Sequence, residues 1–209
     1  MIRRILRSAC VLALSLPPTL LLNSCGGGNK DTRNQMIVSV TDQRMLLVHD
    51  GKPVKTYPIS TSKFGIGSER NSNRTPLGKM EVARKIGDGA PTGMVFKSRR
   101  PTGEVLKPNA PGRDPIVSRI MWLNGTEAHN QNTFGRLVYI HGTPEEARLG
   151  SPASYGCIRM GMKDVVDLYD RVGEGAEVRV MRGSLLDTWA GQQYASKHST
   201  GELLGVAQR

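Results

Sequence analysis

The sequence predicts a mainly β domain with short helices, and three observations predict it. Short runs rich in Val, Ile and Leu recur between turn signals, as at residues 36–40, 45–48 and 54–59, with Asp50-Gly51 separating the last two as in a hairpin. Turn formers are abundant, 24 Gly and 12 Pro, and turns consume both. Apolar residues are 38% of the 209 and show no sustained heptads, which argues against a helical bundle or coiled coil.

Taken in order, residues 60–79 are polar and turn-rich, with Gly65, Gly67 and Thr75-Pro76-Leu77-Gly78. Further strands are predicted at 79–86, 94–97 and 117–123. Residues 99–114, with three Pro and two Gly, read as a long surface loop. Leu137-Val138-Tyr139-Ile140-His141 reads as a buried strand, being a short apolar run bounded by polar chain. Thr143-Pro144-Glu145-Glu146 has the form of a capping box, so a short helix should begin there and stop at Gly150. A second helix fits 163–172, where Val165, Leu168, Tyr169 and Val172 share one face and Gly173 stops it. Residues 176–181 alternate as a last strand, and nothing in the polar tail from 183 onward demands structure.

The first 24 residues read as an address. Arg3, Arg4 and Arg7 precede an apolar run too short to span a membrane and broken by Pro17-Pro18, the pattern of a secretory signal. Leu22-Asn23-Ser24-Cys25 resembles the lipobox of bacterial lipoproteins, which implies cleavage before a lipidated Cys25 and a membrane anchor there. Residues 25–35 then form a tether, 36–182 the folded domain and 183–209 a tail. Gly26 after that Cys leans to the outer membrane, facing the periplasm.

The formal charge of +11 raises nucleic acid as a partner, but the cations are scattered and no aromatic platform alternates with them. A solvated basic face that suits a polyanionic wall polymer fits better, and nucleic acid is set aside. Of three cysteines, Cys10 leaves with the signal and Cys25 takes lipid. Cys157 is left without a disulfide partner in an oxidising compartment, so a reactive thiol must be weighed against a buried inert one.

A thiol attacks as thiolate and needs an imidazole to take its proton; the imidazole needs a third group to fix its tautomer. His141 ends a stiff predicted strand, and Cys157 follows Gly156, whose freedom at positive φ can expose the thiol. No His, Cys or carboxylate pair near Cys157 has metal-ligand spacing, and no metal is expected. His49, His129 and His198 sit in polar surroundings and read as bystanders; Trp122 and Tyr139 read as core.

His141-Gly142-Thr143 and Ser154-Tyr155-Gly156-Cys157-Ile158-Arg159-Met160 together resemble the signature of the YkuD-type L,D-transpeptidase family. Tyr57-Pro58-Ile59-Ser60-Thr61-Ser62, Thr75-Pro76-Leu77-Gly78-Lys79 and the hairpin holding Gln43 are similar to its amino-terminal half. The resemblance implies a β-rich domain whose mixed sheet carries the catalytic loop, and no cofactor. It implies that a thiolate attacks the third-residue carbonyl of a peptidoglycan tetrapeptide stem, expels D-alanine and passes the acyl group to an amine. That amine belongs to a neighbouring stem or to a wall-linked lipoprotein. Cys157 matches the nucleophile, His141 the base, and the Gly142 carbonyl the third member. Arg159 binds a stem carboxylate or braces the loop, and Ser154 holds the loop. Tyr155 departs from the pattern, which usually has His there. The same acyl-enzyme met by water would make an L,D-carboxypeptidase or amidase; a non-catalytic peptidoglycan-binding lipoprotein and a general cysteine protease are the competing classes.

Overall fold

The computed structural model describes residues 29–205; the signal segment and Cys25 lie outside the described residues. Ten strands are formed: β1 Asn34–Ser39, β2 Arg44–His49, β3 Lys52–Ser60, β4 Gly78–Ile86, β5 Met94–Lys97, β6 Arg100–Val105, β7 Ile116–Gly125, β8 Tyr139–Gly142, β9 Ile158–Met160 and β10 Glu177–Met181. Among the described residues, three helices follow β9: α1 Met162–Arg171, α2 Trp189–His198 and α3 Thr200–Leu204. The fold is mainly β with short helices, as the turn-rich sequence predicts.

The strand order β4-β10-β1-β2-β3-β9-β8-β7 closes on itself, because β7 also pairs with β4. Eight strands thus make a mixed barrel, with β1–β10 and β8–β9 parallel and the other pairs antiparallel. Closure removes the two free edges that an open sheet would leave. At ten residues β7 is long enough to serve two partners on one edge, β4 with residues 120–125 and β5 with 116–117. The β5–β6 hairpin therefore hangs outside the barrel.

Alternation along the strands fills the barrel. Met36 and Val38, Met45 and Leu47, Val138 and Ile140, and Ile158 and Met160 meet in one cluster, which Val165, Leu168 and Tyr169 of α1 complete. The intervening residues Ile37, Leu46 and Val48 are apolar too, so the outer face of β1 and β2 also needs cover. The tail supplies it: a 3-10 turn at Leu185–Asp187 and helices α2 and α3 bring Leu185, Tyr194 and Leu203 onto that face.

Three expectations are revised. Residues 99–114 are not loop throughout, since 100–105 form β6, an outer strand exposed at every residue. Its Arg100, Pro101 and Glu104 suit a solvent edge that must not recruit another strand. After Pro144 the chain makes only a 3-10 turn, Glu146–Arg148: the Thr143 hydroxyl accepts from Glu145 N–H at 3.0 Å while donating to Asp114, but the Glu146 carboxylate accepts from Met162 N–H at 2.7 Å instead of closing a capping box. The polar tail, on which the sequence imposed no structure, is helical from Trp189 to His198 and from Thr200 to Leu204.

Candidate active site

The two halves of the signature meet because β8 and β9 are neighbours. They pair in parallel with Ile140 opposite Ile158 and His141 opposite Arg159. Ile140 and Ile158 point into the barrel core, so His141 and Arg159 share the other face, and Cys157 stands one residue ahead of β9.

Gly142 is required by a close approach. A Cβ there would lie 2.6 Å from the Val117 carbonyl oxygen, where β7 bulges through Ser118 at φ 67°. Its own carbonyl accepts from His141 Nδ1 at 2.8 Å. A carbonyl can only accept, so Nδ1 carries the proton and Nε2 keeps a lone pair. His141 is buried, and that burial pulls its pKa below the ordinary value; the Gly142 carbonyl and Asp114 oppose the shift, and Arg159 adds to it. The ring is neutral near neutral pH.

The Cys157 loop is held by its own motif. Ser154 Oγ donates to the Cys157 carbonyl at 2.6 Å and accepts from Gly156 N–H at 3.2 Å. Gly156 takes φ 115°, which a side chain would strain, and its carbonyl accepts from Thr75 Oγ1 at 3.1 Å. Ser154 N–H donates to the Thr61 carbonyl, and the Gln43 amide clasps Thr61 by both its N–H and its hydroxyl, at 2.8 Å each. Gln43 and the Thr61 and Thr75 segments thus support the Cys157 loop.

The Cys157 sulfur is half-buried against the cluster of Phe96, Ile120 and Tyr139 and donates to the Leu137 carbonyl at 3.6 Å. Burial pushes its pKa up to about 11; the Tyr139 main-chain N–H, Arg136 and Arg159 pull the other way, and Asp114 adds to the rise. The resting thiol is therefore neutral. Leu137 presents its carbonyl from a left-handed backbone, φ 59°, a conformation uncommon for a branched side chain.

Arg159 is 3% exposed, and its Nε and Nη2 have no hydrogen-bond partner among the described residues. Its Nη1 pairs with Asp114 and, at 3.1 Å, with Glu145, while Thr143 Oγ1 holds the other oxygen of Asp114. One arginine thereby ties β9, the chain after His141 and the end of the long loop together. Tyr155 is exposed on the rim; its hydroxyl accepts from Lys63 Nζ at 2.8 Å, and its ring lies against Phe64. The thiol opens onto a cleft of about 580 Å³ lined by Cys157, Gly156, Tyr155, Leu137, Arg136 and Arg70 among others.

His49, His129 and His198 are occupied elsewhere, with Asn34, the Leu77 carbonyl and the Tyr194 ring. Trp122 stacks on Phe134 at 4.0 Å and meets Tyr139 edge-on.

The YkuD family, described as the L,D-transpeptidase catalytic domain, matches residues 33–180. The chain belongs to this family. Similar proteins include YkuD of Bacillus subtilis (strain 168), 28% identical over 145 residues, covering 69% of this chain and 64% of its own length. ErfK/SrfK of Escherichia coli (strain K12) is 28% identical over 172 residues, covering 80% of this chain and 48% of its own. Both carry L,D-transpeptidase in their names, and the chain spans about half to two thirds of their length. Among solved structures, an L,D-transpeptidase from Mycobacterium tuberculosis H37Rv is 18% identical, with TM-score 0.47 over 72% of this chain and 58% of that one.

Asp114, Glu145, Arg136 and Leu137 were not legible as site residues in the sequence. Asp114 sits in a Pro- and Gly-rich stretch and Arg136 follows Gly135, so neither carries a periodic or motif signal.

Proposed function

We propose that this YkuD-family chain is an L,D-transpeptidase of the cell envelope in which Cys157 is the nucleophile and His141 the general base and acid. The supporting observation is the arrangement on β8 and β9: an imidazole tautomer set by the Gly142 carbonyl, on the same face of the paired strands as a thiol that opens on a cleft.

The donor is a tetrapeptide stem. On its arrival the thiol exchanges the Leu137 carbonyl for Nε2 of His141, which takes the proton; such contacts tighten when substrate fills an empty site. The thiolate attacks the third-residue carbonyl carbon, the C–N bond breaks, and D-alanine leaves with the proton from His141. The resulting thioester is attacked by an acceptor amine, whose proton returns through His141 to regenerate the thiol. The neutral pair, with a thiol pKa about 11, keeps the sulfur quiet until a base is in contact. Asp114, Arg159 and Glu145 hold the two strands in register.

The envelope placement follows from the basic and apolar leader and from Cys25, proposed as a lipidated first residue. Mass spectrometry of membrane-extracted protein tests it, and an intact Met1 start rules it out.

Incubation with a purified disaccharide tetrapeptide, followed by mass analysis, tests the reaction. Cross-linked dimer is expected with the native chain and none with Cys157→Ala. Tripeptide alone assigns hydrolysis. An unchanged donor removes the enzyme reading and leaves a wall-binding lipoprotein.

A further inference from the structure

Among the described residues, the lining of the cleft at Cys157 carries two cations and no carboxylate. Arg136 is half-buried, and among the described residues its guanidinium makes three hydrogen bonds, all to uncharged oxygens: the Gly67 carbonyl at 3.2 Å, Ser72 Oγ at 3.2 Å and the Arg74 carbonyl at 2.7 Å. Arg70 lines the same cleft and, among the described residues, has neither a hydrogen bond nor an ion pair. The nearby Glu69 is directed at Arg74, at 4.0 Å. Beyond these two cations the polar side chains of the lining are uncharged, the amides of Asn71, Asn73, Gln131 and Asn132 with the Tyr155 phenol and the thiol, and no Asp or Glu lines the cleft.

A guanidinium partly withdrawn from water and given only neutral acceptors retains unspent capacity for an anion. Burial already draws the Arg136 pKa down, and the Glu69 and Cys157 charges act in the opposite sense, as an arriving carboxylate would. In a narrow polar cleft such charge attracts anions and rejects cations.

We propose that Arg70 and Arg136 form an anion subsite that takes the terminal carboxylate of the peptide whose last amide bond lies at Cys157. In such a donor the carboxylate is on the carbon next to the scissile nitrogen, so a cationic pocket sharing its wall with the sulfur reads whether the bond is the last of the chain. A longer peptide places its charge one residue further on and puts a neutral amide here instead. This subsite rests on the proposed reading of Cys157 for its purpose but not for its existence.

Calorimetry on the Cys157→Ser chain tests the subsite without turnover, using two synthetic stem tetrapeptides that end in a carboxylate or a carboxamide. The acid should bind roughly tenfold tighter, the value of one hydrogen-bonded charge. Arg70→Gln, which breaks no contact among the described residues, should remove most of that preference and leave carboxamide affinity in place. Arg136→Lys keeps charge but loses the fork and should give an intermediate preference, at a melting temperature that certifies its fold. Equal affinity for acid and amide, loss of both together in Arg70→Gln, or no binding of either peptide would overturn the subsite. Turnover by the native chain without acid preference removes the subsite and spares the enzyme; acid preference without turnover does the reverse.

Discussion

His141 Nδ1 donates to the carbonyl of its own successor, Gly142, at 2.8 Å. The bond orients the ring without any second side chain, and it exists because Gly142 can press against the Val117 carbonyl where no Cβ fits. An orienting carbonyl adds no negative charge, so the imidazole is aimed but not made strongly basic. The fixed tautomer leaves Nε2 as the proton acceptor.

Removal of that acceptor should stop acylation without unfolding the domain. His141→Ala is expected to slow formation of the Cys157 acyl-enzyme by roughly a thousandfold, the range of general-base assistance. Intact-protein mass against time gives the rate, and a wild-type rate in the variant would assign the base elsewhere.

The thiol should titrate late. In the free protein, alkylation by iodoacetamide should rise about tenfold per pH unit through pH 9 and level off only near the pKa of about 11. At pH 7 only about one thiol in ten thousand is then ionised. A midpoint at or below the ordinary 9.0 would contradict the buried, neutral sulfur.

Turnover should hold toward acid. His141 works as a base only when neutral, and its pKa lies below the ordinary 6.5, so the acid limb of kcat/KM should fall below pH 6.5 rather than above it. A limb centred above 6.5 would mean that the ring is exposed or paired with a carboxylate when it acts.

The brace at Arg159 should be worth measurable stability. Asp114→Ala leaves the buried guanidinium with Glu145 alone and strips Thr143 of its acceptor. A cost of about 2 kcal/mol is expected, less than for a fully buried pair because Asp114 is partly exposed. The melting temperature should drop by roughly 4 to 8 °C. No change would show that the pair is idle.

The tail should behave as part of the domain. Leu203→Ala removes a fully buried side chain over β1 and β2 and should cost about 2 to 3 kcal/mol. Ending the chain after Gly183 uncovers Ile37, Leu46 and Val48, and size-exclusion chromatography should then show association. A monomeric, equally stable truncation would make the tail an ornament.

Strands and the helix after the motif were legible because their period is local: α1 was expected at 163–172 and lies at Met162–Arg171. The tail was not, since α2 is weakly amphipathic and buries only Ala190, Gly191 and Tyr194. A sign of that contact was present all the same in Met45-Leu46-Leu47-Val48, a run too continuously apolar for a strand with one wet face. At the site, Cys157, His141, Gly142, Ser154 and Gly156 were legible from two short motifs. For Arg159 the sequence left two uses open: Nη1 pairs with Asp114 and Glu145, as a brace would, while Nε and Nη2 have no hydrogen-bond partner among the described residues.

The sequence by itself determined what is encoded in neighbours along the chain: alternation, turns, the helix face, and two motifs whose residue types suit thiol chemistry. Tertiary structure alone decided which distant groups share a wall. Barrel closure laid β8 beside β9, brought Asp114 from the far end of a loop to Arg159, and set Arg70 and Arg136 at the same cleft as the sulfur. Electrostatic interactions act through space, and separation along the chain carries no record of them.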